Sequence, residues 1–268
     1  MSAAAASSSA ATSVRLAKRQ LRKHMAQTLA SLRPQDVVAQ SKLVAEQVLN
    51  SQTYAQSNAI SVYVNMDVGE VVTDHICRRI LRDGKRLYVP LFASPSTPVA
   101  VPSSPTPTST PMPVASPATQ VTFAQDMVML HLLDEQDYEL MATNKWGIRE
   151  PMLTYPDGSR RQSALDPASA TTTPLDLILA PGVAFDNSAA RLGHGKGYYD
   201  RYLAQAFAYA EDHNIKNTPV TVALALREQI LPRGQHVPTD EQDRVLDAII
   251  TPDGCILPPD SPTSRWQP

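Results

Sequence analysis

Two cysteines, Cys77 and Cys255, are all that 268 residues contain, and they stand far apart in the chain. So low a number excludes a disulfide framework and a cysteine-built zinc site. The six histidines (His24, His75, His131, His194, His213 and His236) show no His-x-x-x-His spacing, so they do not announce a metal helix either. There is no Gly-x-Ser-x-Gly elbow to support Ser–His hydrolase chemistry. No apolar run approaches the ~20 residues needed to span a bilayer. With a formal net charge of -2, no whole-chain field favours nucleic acid or a membrane. These absences leave an intracellular soluble protein as the default; a monomer is expected.

Charge is also missing locally, in two places. No acid precedes Asp36, while Arg15, Lys18, Arg19, Arg22, Lys23 and Arg33 are all basic. Such a stretch suits a mitochondrial leader or a basic helix of the fold; the second use favours the cytoplasm. From Leu87 to Gln125 there is no charged residue, and eight prolines fall between Ala93 and Thr119. A tract of that composition cannot bury enough side chain to offset its ordering entropy. Residues 93–120 are therefore expected to form a disordered insertion within one domain. A second irregular segment is expected over 157–174. Residues 1–12 and 252–268 are expected to be tails around a domain spanning 13–251.

What remains alternates between helix and strand. Val14, Leu21, Met25, Leu29 and Leu32 predict an amphipathic helix over about 13–31, with Lys18 and Arg22 sharing another face. Pro34 suits the first turn of a second helix. Strands are expected near 59–64, 86–90, 126–132, 177–180, 219–226 and 245–251, with helices over 71–81 and from 198 to 210. The fold class is α/β: a single domain with a mostly parallel sheet flanked by helices, a Rossmann-like three-layer arrangement.

The densest signal is the run Arg191-Leu192-Gly193-His194-Gly195-Lys196-Gly197-Tyr198-Tyr199-Asp200. It lies between the apolar strand ending at Ala180 and a helix. Three alternate glycines let a ligand approach the backbone and leave N–H groups to meet an anion. Arg191 and Lys196 add positive charge, and Asp200 can hold a divalent cation beside phosphates. The run matches neither the Gly-x-x-x-x-Gly-Lys-Ser/Thr loop nor the Gly-x-Gly-x-x-Gly fingerprint. It reads as a phosphate loop of another kind, suited to a nucleoside triphosphate with magnesium.

With Leu179-Ala180-Pro181-Gly182-Val183-Ala184-Phe185-Asp186 ahead of it, this run resembles the signature of the 5-formyltetrahydrofolate cyclo-ligase family. Lys18 to Arg22, Tyr63 to Thr73, Gly84-Lys85 with Val89-Pro90, Trp146-Gly147-Ile148 and Ala223 to Ile230 fit as well. The resemblance implies ATP- and magnesium-dependent closure of 5-formyltetrahydrofolate to 5,10-methenyltetrahydrofolate, through phosphorylation of the formyl oxygen. It implies catalytic roles for Lys196, Arg191 and Tyr198. The nucleotide would meet Lys18, Arg19, Gln20, Leu21 and Arg22, and the loop from Arg191 through Leu192, Gly193, His194, Gly195, Lys196, Gly197 and Tyr198 to Tyr199. The folate would meet Val64, Glu70, Trp146, His194, Gly195, Lys196, Gly197 and Tyr198. Asp200 and Asp247 would hold Mg2+. His194 departs from the Arg or Tyr expected between those glycines, which leaves a non-catalytic nucleotide- or folate-binding protein as the alternative.

Overall fold

The computed structural model describes residues 2–92, 127–166, 174–241, 243–259 and 265–268, with side chains from residue 12 onward. At its centre, β1 (Ala59–Val62) and β4 (Leu177–Ala180) pair in parallel. Both are buried at every position, as strands covered on two faces must be, and so neither sequence alternates. Beyond β1 come parallel β2 (Arg86–Phe92) and then antiparallel β3 (Met127–Leu132). Beyond β4 come β5 (Val220–Leu224) and β6 (Ala248–Thr251), both parallel to it. A short antiparallel strand, β7 (Gly254–Ile256), closes that edge. The sheet is therefore mixed but mostly parallel, in the order β7-β6-β5-β4-β1-β2-β3.

Chain direction across the sheet reverses between β1 and β4: one run builds outward to β2, the other to β5 and β6. In an open α/β sheet the connections diverge at such a point and leave a crevice beyond the carboxyl ends of the strands. Four longer helices flank the sheet: α1 (Ser2–Ala30), α2 (Pro34–Asn50), α3 (Asp74–Arg82) and α4 (Tyr198–Asp212). α2 packs on β6, α3 on β2, and α4 on β3.

At three places the structure adds to the expected outline. α1 starts at Ser2 rather than near residue 13, because the Ala-rich lead has the highest helix propensity available. The end of the chain is no free tail. Besides β7, it places Trp266 in the core at 3% exposure, while Gln267 exchanges hydrogen bonds with Thr53. The described part of the 157–174 segment is also packed. Ser163 bridges to Leu130, and buried Arg161 makes a two-pronged ion pair with buried Asp137. Residues 93–120 and 167–173 lie outside the described residues.

Candidate functional site

β4 runs into Pro181-Gly182, and a hairpin pairing Ala184–Phe185 with Arg191–Leu192 brings the chain back to the sheet's carboxyl edge. Gly182 has no room for a side chain, since a Cβ there would lie 2.4 Å from Phe185 Cζ. Gln229, buried, donates to the Gly182 carbonyl and accepts from the Leu226 N–H. Asp186 holds the hairpin's tip. Its carboxylate accepts from the Ser188 hydroxyl and N–H, from the Ala190 N–H and, across the fold, from the Val237 N–H. Burial alone would raise its pKa, yet these four donors hold it below the ordinary carboxylate value.

The hairpin delivers Arg191 into the interior, where it is 4% exposed. Its guanidinium donates to the Pro181 carbonyl and pairs with Asp200 on the first turn of α4. The glycine run then crosses the crevice, with Gly195 at φ +95° and Gly197 at φ +67°. A side chain at either is strained in that backbone region. Gly197 precedes α4, so the run ends on a helix N-terminus with unsatisfied amides.

Two cavities meet at this loop. The first, about 290 Å³, lies at the β1/β4 switch point and has apolar, largely aromatic walls. Val64, Trp146 and Tyr198 line it, as does Phe92, whose ring stands 5.2 Å from Tyr198 and edge-on, 6.4 Å, to Trp146. Glu70 is the buried carboxylate in this wall. One oxygen accepts the Met66 N–H at 2.8 Å, and the other faces His194 Nε2 at 3.1 Å. Lys196 also lines the cavity; it is exposed and belongs to no ion pair among the described residues.

The second cavity, about 980 Å³, opens on the other side of the loop between α1, α4 and the segment leading to β6. Arg15, Lys18, Arg22, Arg201 and Arg244 supply its cations. Arg22 Nε donates to the Gly193 carbonyl at 2.8 Å, tying α1 to the loop. Its pKa is lowered by burial, an effect partly opposed by Asp243 and Asp200. Lys18 reaches Asp240 at 2.7 Å and Asp243 at 2.5 Å. Burial opposes its charge, but these two carboxylates leave its pKa raised. Gly193, Gly197 and Asp200 line both cavities, so the loop is their common wall.

The structure thus brings together residues from six parts of the chain, but not every residue that the resemblance implied. Arg19 and Gln20 are exposed on α1 and line neither cavity. Leu21 and Leu192 pack with Met25, Ala184 and Leu231 in a small apolar cluster beneath the loop. Gly195 lines the second cavity and not the first, whereas Tyr199 lines the first and not the second. Asp247 does not join Asp200. It stands at the amino ends of β5 and β6, where its carboxylate accepts from the Thr221 N–H and hydroxyl and pairs with Arg265. The carboxylates that share the cleft with Asp200 are Asp240, Glu241 and Asp243.

Sequence reasoning missed Met66, Phe92, Arg201, Asp240 and Asp243. Phe92 could have been found by extending the strand pattern of β2 by two residues into the charge-free tract. Arg201 follows Asp200 on the same helical turn. Asp240 and Asp243 carry no local signal.

A model of the 5-formyltetrahydrofolate cyclo-ligase family matches residues 14–252. The chain is 32% identical over 244 residues to 5-formyltetrahydrofolate cyclo-ligase of Mus musculus, covering 91% of this chain and 98% of that protein. It is 32% identical over 239 residues to a probable 5-formyltetrahydrofolate cyclo-ligase of Caenorhabditis elegans, covering 89% and 94%. The NMR structure of Aquifex aeolicus 5,10-methenyltetrahydrofolate synthetase has the same fold, with a TM-score of 0.61 at 20% identity over 92% of this chain and 95% of that one.

Proposed function

As the chain belongs to the 5-formyltetrahydrofolate cyclo-ligase family, we propose that it converts 5-formyltetrahydrofolate and ATP to 5,10-methenyltetrahydrofolate, ADP and phosphate. The observation that carries this reading is the common wall. A glycine loop separates an aromatic pocket from a cationic cleft, and Gly193, Gly197 and Asp200 face both. A flat pterin suits the first cavity and a triphosphate the second. Their reactive ends would then meet across the loop.

The terminal phosphoryl group of ATP passes to the formyl oxygen, and ADP leaves. The neighbouring amine nitrogen attacks the activated carbon and gives up its proton to the phosphate, which leaves as the C–O bond breaks. Transfer of this kind needs positioning and charge neutralisation more than covalent help. Arg22 and the loop amides would hold the phosphates, with Lys18 reaching them from its carboxylate partners. Lys196, exposed at the loop's crest, would meet the charge that builds on the group in transit. Arg191 fixes the loop and orients Asp200.

Magnesium usually takes one or two carboxylates and completes its shell with phosphate oxygens and water. Asp200 and Asp243 would supply those carboxylates, since both line the cationic cleft. The ion would draw charge from the phosphates. Glu70 would take the pterin's amino and ring N–H donors. A carboxylate has about four acceptor positions; Met66 and His194 occupy two, which leaves two for that pair of donors.

The cytoplasm is the compartment we favour, since α1 uses its basic residues to line the cleft. Among the described residues no helix is long and apolar enough to cross a membrane. The test is the rise of methenyl absorbance when the protein meets 5-formyltetrahydrofolate, ATP and magnesium. Lys196→Ala should lower kcat at least a hundredfold and leave the folate Kd within about threefold. Tight folate binding with no absorbance rise would make the protein a binding module instead.

A further inference from the structure

Tyr199 is the second residue of α4, is 6% exposed and lines the aromatic pocket. Among the described residues its buried hydroxyl has no hydrogen-bond partner. The neighbouring Tyr63 differs, because its hydroxyl donates to the Val71 carbonyl at 3.0 Å. An unsatisfied buried donor destabilises a fold and calls for an explanation. Burial, with Glu70 close by, holds the Tyr199 phenol well above the ordinary tyrosine pKa. It therefore keeps its proton and can only gain by donating it to an acceptor.

The pocket wall then has a readable polarity. Glu70 offers acceptor positions, Tyr199 offers an unused donor, and Phe92, Trp146 and Tyr198 are flat apolar surfaces. A pterin ring presents along one edge an amino group, then a ring N–H, then a carbonyl oxygen: two donors followed by an acceptor. We propose that the Tyr199 hydroxyl donates to this carbonyl while Glu70 takes the two donors, which makes Tyr199 a folate-contacting specificity residue rather than a nucleotide contact. The assignment rests on the folate reading above. A site that pairs a buried donor with a substrate carbonyl discriminates strongly against ligands that lack the acceptor.

Tyr199→Phe deletes the hydroxyl and little else. The unliganded variant should melt at the same temperature or about 2–4 °C higher, because an unsatisfied buried group has gone. Its Kd for 5-formyltetrahydrofolate, followed by the fluorescence of Trp146 in the pocket wall, should rise about tenfold, the effect of one hydrogen bond. The KM for ATP should not move. The 4-amino analogue of the folate, which lacks the carbonyl, should bind wild type and variant equally. An unchanged folate Kd, an equal penalty on the analogue, or a lowered melting temperature would each overturn the assignment. Wild-type protein that fails to bind 5-formyltetrahydrofolate would instead overturn the folate reading, and that is seen before any variant is made.

Discussion

Two aspartates four positions apart separate what a motif suggests from what a fold builds. Asp247 is held by Thr221 and Arg265 at the amino ends of two strands, while Asp243 faces the cleft that also contains Asp200. Asp243→Asn should raise the magnesium concentration needed for half-maximal turnover at least tenfold. Asp247→Asn should leave that concentration unchanged and lower the melting temperature, which a magnesium titration and a thermal melt will separate. His131 behaves differently again. Burial, helped by Arg86 and Arg161, lowers its pKa to about 4. The unfolded chain, titrating near ~6.5, therefore binds the proton first as pH falls. Stability should decline from about pH 6.5 and level off below about pH 4, by about 2 kcal/mol in all once solvent screening is discounted. His131→Gln should flatten that limb in urea melts taken across the range.

α1 shows how one helix can serve two ends at once. The expectation that Lys18 and Arg22 share a face apart from the apolar stripe is corrected: positions 18, 22, 25 and 29 fall on one side of the helix, where Lys18, Met25 and Leu29 are buried and Arg22 is half-buried, with Leu21 beside them. Leu21 and Met25 pack under the hairpin, Leu29 joins the main core, and Arg22 grips the Gly193 carbonyl. A charge-assisted hydrogen bond of this kind is worth about 1.5–3 kcal/mol. Arg22→Met keeps the stem's packing and removes the tie, so the KM for ATP should rise tenfold or more. Folate affinity in the aromatic pocket, which Arg22 does not line, should stay the same. Equal losses at both sites would show that α1 merely supports the fold.

Across the molecule, the two edges of the sheet have different duties. The carboxyl edge carries the crevice where the connections diverge. The last residues of the chain secure another part: Trp266 enters the core, Gln267 pairs with Thr53, and Arg265 holds Asp247 and Thr218. Trp266→Ala should cost about 3–5 kcal/mol through cavity formation and lower the melting temperature by roughly 10 °C. Turnover measured well below that temperature should be preserved, since Trp266 lines neither cavity. A parallel fall in kcat at low temperature would mean that the two regions are coupled.

The α/β alternation and the glycine loop were legible in the amino-acid order. Each is a local signal: apolar spacing, or a short run of alternating glycines. Tertiary structure alone decided which carboxylate joins Asp200, that Phe92 closes the aromatic pocket, and that Arg19 and Gln20 face outward. Successive residues on a helix point about 100° apart, so membership in a motif does not fix which cavity a side chain enters. Gly195 and Lys196, adjacent in the glycine loop, show the same thing: the first lines only the cationic cleft and the second only the aromatic pocket. Contacts between distant segments depend on strand order and helix rotation, and no stretch of the chain encodes those by itself.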